Sequence, residues 1–383
     1  MRFAPNAYNG CVSRIAFDAR LAYYRRESGI GQYIVHLARL LPRLDPAREY
    51  AILHSRKDRV DLAGAPNARR LSLWTPCHNR FEQWTLPIEL LRTRFGLLHS
   101  PDFIPPFRGR FRRVITVHDL TFLHYPQFLT SESRRYYNDQ IARACEAADH
   151  ILADSHATKS DLIGLLRVAA DKVTVVWLAP DSRFRPQAGQ AVRARLDHLG
   201  VPAQYLLFVG TFEPRKNVAG LLNAYGILRE GEKDVPSLVL AGRRGWLFDE
   251  TLAQVDRLDL RDHIVLLDTP SDDDLVALYS GAIALVLPSH YEGFGLTVLE
   301  AMACGAPVVI SDRGSLPEIA GDAALVVDPD DVDALAEAMR RVVSDADVRA
   351  RLRERGLARA AEFGWERCAR ETLAVYGRVM GDA

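Results

Sequence analysis

Two acidic residues, Glu292 and Glu300, flank a Gly-Phe-Gly turn in the stretch Pro288–Pro307. An apolar run, Ile283–Leu287, precedes them and a helical pattern begins near Leu296. Glycines such as Gly293 and Gly295 admit left-handed backbone and close approach to a ligand. A helix start leaves N–H groups and a positive dipole end, which favour phosphate. Carboxylates beside such a turn accept hydrogen bonds from vicinal hydroxyls, so sugar and ribose are natural partners. The plainer alternative is two solvated charges around an ordinary turn. A glycoside hydrolase pair is the sharper one, but its carboxylates must face each other across a bond at ~5–9.5 Å. Residues of one loop and helix lie on the same side of a ligand, so that chemistry is set aside.

A second turn of this kind is Val209-Gly-Thr-Phe-Glu-Pro-Arg-Lys-Asn217, with Gly210 in the loop and Arg215 and Lys216 at its end. Arginine clamps phosphate oxygens in a fork and lysine acts as a movable point charge. Together they would stabilise a leaving diphosphate without a metal; the alternative is two surface cations near an Asn cap. Neither P-loop nor dinucleotide-fingerprint spacing is met. In the first half, Ser28-Gly-Ile-Gly31 opens an amphipathic helix, a candidate second wall for phosphate. Val117-His118-Asp119 ends an apolar strand. His118 would hydrogen-bond a donor sugar or make a structural backbone bond, and Asp119 would orient its ring or hold the loop. Asp272-Asp-Asp274 follows Ser271 and reads as the acidic first turn of a helix, not a metal site.

Positioning these residues requires strands and helices in alternation. Thirteen short runs read as strands, from Ser13–Ala19 to Ala324–Val327, and most are near-continuously apolar, as in parallel sheets buried on both faces. Amphipathic segments such as Gly31–Leu41, Ser131–Ala148, Asn217–Arg229 and Asp331–Val343 separate many of them, which implies right-handed βαβ units. Pro and Gly crowd into residues 179–203, so a domain over 1–185 and another over 200–364 are expected. Ligands are expected where strand C-termini line a cleft between the two.

The 383 residues carry 49 Lys+Arg and 49 Asp+Glu, a zero balance that argues against nucleic acid as the main partner. Five scattered cysteines with no C-x-x-C pair argue against a disulfide framework or zinc site. The absence of an apolar spanning run or an apolar leader points to the cytoplasm. One loop, Pro105–Arg113, concentrates Arg108, Arg110, Arg112 and Arg113 with two phenylalanines; Arg92 and Arg94 precede it, and Arg134 and Arg135 follow. Such a loop suits peripheral contact with an anionic bilayer, or is simply solvated.

Glu292 and Glu300 enclose seven residues, and this spacing resembles the E-x7-E element of retaining glycosyltransferases of family 4. The resemblance extends nearly end to end and is most specific from Tyr205 to Pro329, including Gly210–Asn217, Leu240-Ala-Gly242 and Gly314–Ala324. Thr116–Phe122 and Gly29-Ile-Gly31 resemble the N-terminal elements of bacterial mannosyltransferases of surface polysaccharide assembly. The resemblance implies an α/β GT-B fold, two Rossmann-like domains with a nucleotide-sugar between them, and a last helix within 365–383 crossing back to the first domain. It implies that Arg215 and Lys216 hold the diphosphate, Glu300 the ribose, and Glu292 the hexose beside the N–H groups of Gly293, Phe294, Gly295, Leu296 and Thr297. His118 would meet the sugar on its other side, and Gly31 and Gly210 would lie near the phosphates. The expected activity is metal-independent, retaining hexose transfer, favouring GDP-mannose, to a saccharide or lipid-linked saccharide, with no further cofactor. A nucleotide-sugar epimerase of the same fold and a non-enzymatic nucleotide-sugar-binding protein are the alternatives. Leu178-Ala-Pro-Asp181 departs from the family's usual Asn-Gly-Val-Asp.

Overall fold

The computed structural model describes residues 14–25, 28–79, 81–91, 93–128, 131–232, 234–245 and 248–381, with backbone alone at 128, 131–136 and 139. Their residues form two compact units. One takes the described residues of 1–123, 129–178 and 365–383; the other takes 124–128 and 179–364.

The first unit is built on strands β1 (Arg14–Asp18), β2 (Glu49–Ser55), β3 (Ala68–Leu73), β4 (Leu97–Ser100), β5 (Arg112–Val117), β6 (His150–Ala153) and β7 (Val173–Val175). They form one parallel sheet in the order β3-β2-β1-β4-β5-β6-β7. The second unit repeats the plan with β8 (Tyr205–Val209), β9 (Ser237–Gly242), β10 (Ile264–Asp268), β11 (Ala284–Leu287), β12 (Val308–Ser311) and β13 (Ala324–Val327), ordered β10-β9-β8-β11-β12-β13. In each sheet the strand order reverses beside the first strand, between β1 and β4 and between β8 and β11. A crevice opens at such a switch point, outside the carboxyl ends of the two strands.

Continuous burial explains why the central strands are legible in sequence: every residue of β8 and of β11 is buried. The edge strand β3 differs. Hydropathy places it at Leu71–Trp74, yet the ladder to β2 begins at Ala68 and includes Arg69 and Arg70. An edge strand need not be apolar on both faces, and Trp74 falls outside it, half-exposed.

A buried polar chain ties the last helix, Trp365–Met380, to the first sheet. Alternation along β5 sends Ile115 and Val117 to one face and Thr116 to the other. The Thr116 hydroxyl lies 2.8 Å from both the Tyr33 hydroxyl and His99 Nε2, and His99 Nδ1 lies 2.6 Å from the Tyr376 hydroxyl. Burial, and then the neighbouring His118, push the His99 imidazole down to about 3, so it is neutral and can donate at one nitrogen while accepting at the other. Trp365 stacks on His36 with ring centres 4.4 Å apart. Among the described residues no helix is long and apolar enough to cross a membrane.

Candidate active site

Both candidate turns of the second unit lie at its switch point. The loop after β8 carries Gly210 to Lys216, and the loop after β11 carries Ser289 to Gly295. Their backbones are joined where His290 N–H donates to the Arg215 carbonyl at 2.7 Å. Three predicted residues then meet. Lys216 Nζ donates to Glu292 Oε1 at 2.5 Å, and Arg215 Nη1 donates to Glu292 Oε2 at 2.9 Å. Ser289 Oγ adds a third bond to Glu292 at 2.7 Å. Burial alone would raise the Glu292 carboxyl, but Lys216 and Arg215 outweigh it and hold the group at about 2. Glu292 is therefore ionised throughout the physiological range and is the internal counter-ion of both cations.

The backbone around Glu292 is tightly supported. Its carbonyl accepts from Ser315 Oγ at 3.0 Å and from Ser315 N–H at 3.1 Å. Gly314 has φ +59°, and a Cβ there would fall 2.6 Å from the Glu292 carbonyl oxygen. Only glycine permits that approach. Gly210 donates its N–H to the Ala241 carbonyl at 3.0 Å. Gly295, at φ +96°, is the left-handed residue from which the helix Leu296–Ala303 starts, and no side chain caps that helix. Gly293, Phe294 and Gly295 are buried, Leu296 and Thr297 half-buried, and the Phe294 ring packs edge-on against Phe363. Glu300 stands apart from the Glu292 cluster in its contacts. It accepts from the Tyr279 hydroxyl at 3.2 Å, and burial, reinforced by Asp272 and Asp181, pushes it up to about 8.

In the first unit, His118 follows β5 and is held at both ring nitrogens. Nδ1 lies 2.6 Å from Asp154 Oδ2 and Nε2 lies 2.8 Å from the Pro101 carbonyl. Burial opposes the charged ring, yet Asp154 prevails and raises His118 to about 9, so both nitrogens donate.

The sequence matches proteins of one kind. Residues 200–359 match the family model "Glycosyl transferases group 1" and residues 28–181 match "Glycosyltransferase Family 4". The O-antigen chain mannosyltransferase B of Escherichia coli is 33% identical over 369 residues, covering 91% of this chain and 96% of that protein. The chain belongs to glycosyltransferase family 4. The serotype-specific mannosyltransferase WbdA of Escherichia coli is 29% identical over 74% of this chain, which spans 36% of that longer protein. Among solved structures, sucrose-phosphate synthase from Thermosynechococcus elongatus superposes with TM-score 0.77 at 22% identity, over 97% of this chain and all of that one. WaaG, a glycosyltransferase of lipopolysaccharide biosynthesis, superposes with TM-score 0.73 at 16% identity, over 94% of this chain and 99% of its own. At those identities the likeness establishes the fold, that of the GT-B enzymes.

Several expectations need correction in this family 4 glycosyltransferase. Of the two roles expected of Asp119, orienting the His118 ring or holding the loop, the second is seen: it accepts the Thr121 N–H at 2.9 Å, and the carboxylate at the His118 ring is Asp154, which follows β6 and lies 36 positions downstream. Asp154 was missed because it shares no local pattern with His118. Its signal was the strand-end dipeptide Asp154-Ser155, whose serine caps the next helix. The Gly31 N–H is taken by the capping Ser28 Oγ at 3.2 Å, so Gly31 offers proximity at the helix start rather than a free donor. Residues 124–128, expected in the first domain, group with the second unit, where the Tyr125 hydroxyl donates to the His290 carbonyl at 3.2 Å.

The arginine loop lies elsewhere in the first unit. It precedes β5, and in a parallel sheet such loops gather at the N-terminal edge, opposite the edge that carries His118. Arg112 pairs with Asp149 at 2.8 Å. Arg113 is spent on the loop itself, donating to the carbonyls of Pro106 at 2.9 Å and Gly109 at 3.1 Å. Arg108 lies over the exposed indole of Trp84, 5.1 Å from the ring centre. Arg92 and the side chains of Arg134 and Arg135 lie outside the described residues. Asp272–Asp274 form the first turn of a helix whose Ser271 and Asp274 make a reciprocal capping box.

Proposed function

We propose that this enzyme transfers mannose, with retention and without a metal, from GDP-mannose to a saccharide or lipid-linked saccharide during surface polysaccharide assembly in the cytoplasm. The observation that carries this reading is the near full-length similarity to the O-antigen chain mannosyltransferase B. A more distant relative, an MMP alpha-(1->4)-mannosyltransferase of Mycolicibacterium hassiacum that is 32% identical over 64% of this chain, supports the same sugar.

The roles follow from charge. As the bond from the anomeric carbon to the diphosphate breaks, its electron pair leaves on the diphosphate, and Arg215 and Lys216 receive that charge; the acceptor hydroxyl oxygen bonds to the anomeric carbon on the same face and its proton passes to the departing diphosphate. Such preorganised donors act strongly where water is excluded. Glu292, which holds both cations, accepts hydroxyl bonds from the hexose and keeps the two cations aligned. The helix start at Gly293 to Thr297, with Gly210, takes the phosphates through its N–H end; Glu300 accepts from the ribose. His118 meets the sugar by exchanging its Pro101 bond, with Asp154 keeping the ring charged. We further propose peripheral contact with an anionic bilayer through Arg108, Arg110 and Trp84 rather than through Arg112 and Arg113. Vesicle binding indifferent to lipid charge, or unaltered in the double variant Arg108→Ser/Arg110→Ser, would refute that contact.

The deciding experiment incubates the purified protein with GDP-mannose, UDP-glucose and UDP-galactose, each with and without a panel of mannosyl acceptors. Mass and anomeric configuration of the product are then read by mass spectrometry and NMR. Acceptor-dependent α-mannoside formation in the presence of EDTA is expected. Consumption of donor alone would favour the epimerase, and binding of donor with no turnover on any acceptor would favour a non-enzymatic binder.

A further inference from the structure

The helix Glu82–Leu90 of the first unit is apolar on two opposite faces. Its inner face buries Leu86 and Leu90, with Glu82 paired to the buried Arg20 at 2.7 Å. Its outer face carries Phe81, Trp84, Ile88 and Leu91, which are between 54% and 78% exposed. Phe81 and Leu91 sit at the two caps with helical backbone, so they continue the row. At about 100° per residue the four side chains fall within roughly 80° of arc, opposite the buried face. Trp74, half-exposed, extends the patch: its N–H donates to Glu89 at 2.8 Å, beside the same helix.

A surface helix ordinarily turns polar residues outward. Single exposed apolar side chains are common, but a continuous row of them marks an interaction site. Taking ~150–250 Å² for a whole aromatic side chain and somewhat less for Ile and Leu, the five expose roughly 600 Å², the upper end of what a monomer shows. A two-fold pair would remove about 1,200 Å², the size at which specific interfaces begin.

Charge and spacing choose the occupant. Residues 81–91 hold no Lys or Arg. Of their two acids, Glu82 pairs with Arg20, and Glu89 accepts the N–H groups of Trp74 and Thr75 at 2.8 and 2.9 Å. A helix that lies in an anionic bilayer carries Lys and Arg along its polar face, and this one carries none. The row itself is spaced three, four and three residues apart, which reads the same in both directions. Turned end for end about its midpoint, it sets Phe81 on the partner's Leu91 and Trp84 on the partner's Ile88, each contact made twice. That is the self-complementarity a two-fold interface requires, and antiparallel helices also oppose their dipoles.

We propose that the outer face of the helix Glu82–Leu90 is a homodimer interface, in which two copies of this chain pair antiparallel through Phe81, Trp84, Ile88 and Leu91. In such a pair Trp84 belongs to the seam, and the bilayer contact proposed above is left to its arginines.

The test is sedimentation velocity of the full chain from nanomolar to tens of micromolar, on the original protein, on Ile88→Glu and on Trp84→Lys. Both side chains are exposed, and the melting temperature of each variant reports that the fold survives. The original protein should pass from monomer to dimer within that range, and each variant alone should dimerise about tenfold or more weakly. Mixed in equal amounts, the two variants set the new carboxylate against the new ammonium at one contact and keep Trp84 on Ile88 at the other. The mixture should therefore dimerise more tightly than either variant alone. An original protein that stays monomeric throughout, folded variants that dimerise as well as it does, or a mixture no tighter than its components would each overturn the pairing. A monomer that sediments with anionic vesicles, and no longer does so as Ile88→Glu, would give the row to a bilayer and overturn it equally.

Discussion

The two switch points occupy the same place in two similar sheets, yet their charges are arranged differently. At β8–β11, Arg215 and Lys216 share the buried Glu292, Arg215 also pairs with Glu213 at 3.0 Å, and the loops that bear them come with glycines at fixed positions. At β1–β4, Arg20 and His78 face three carboxylates drawn from separate stretches of chain. The first pattern puts two adjacent cations beside one carboxylate, the arrangement on which the proposed diphosphate role rests; the second surrounds a buried arginine with carboxylates. One fold plan supports both arrangements because the crevice position is set by topology, whereas its charge is set by a handful of side chains.

The comparison breaks most easily at the cations. Arg215→Ala and Lys216→Ala should each reduce turnover by ~100-fold or more, the scale for removing one charge-stabilising donor. Unchanged turnover and donor affinity in both would end the phosphate assignment of the second switch point.

Next in size is Glu292→Gln. With Glu292 neutral, Lys216 loses the carboxylate that holds it and Arg215 keeps only Glu213, and breaking a buried pair from one side costs about 3–5 kcal/mol. The variant should melt at lower temperature, recover more than the original protein on adding GDP, and transfer poorly. A calorimetric scan with and without GDP reads all but the last. Equal GDP stabilisation of both proteins would mean that the diphosphate does not replace the Glu292 charge. The acid limb follows from the same group. Because its folded pKa is depressed to about 2, its stabilisation is present above the ordinary carboxyl range and is lost as pH falls toward 2.

A smaller effect, about tenfold, is expected at Glu300. Its carboxyl is raised to about 8, so the stability it contributes is full below the ordinary carboxyl pKa and is lost as pH rises through 8. Ribose hydroxyls bond best to the ionised form, so GDP affinity should increase as pH rises through 8. Titration calorimetry from pH 6 to 9 should show that rise, and Glu300→Gln should flatten it. A flat profile in the original protein would remove Glu300 from the ribose.

The smallest expected effect sharpens the first unit's side. His118, raised to about 9 by Asp154 against its burial, contributes stability that is complete below the ordinary histidine range and lost as pH rises through 9. Asp154→Asn should bring the His118 titration, followed by imidazole NMR, down by more than one unit and remove that alkaline loss. A His118 titration unmoved by the substitution would show that another group charges the ring.

The sequence by itself determined the alternation of strands and helices, because strands buried on both faces must be apolar throughout: β8, β11 and β12 are readable as runs. It also determined the turns of the second unit, since an uncapped helix start beside Gly295 and adjacent cations at Arg215 and Lys216 are local features. Edge strand β3 was legible only from Leu71 onward, because its first half carries Arg69 and Arg70. Only the tertiary structure decided which charges meet. Glu292 lies 76 positions from Lys216, Glu82 lies 62 from Arg20 and Asp154 lies 36 from His118, and no periodicity links residues so far apart. Parallel strands place the ends of distant segments side by side, and in that crevice burial turns weak surface charges into pairs that hold Glu292 ionised and His118 protonated.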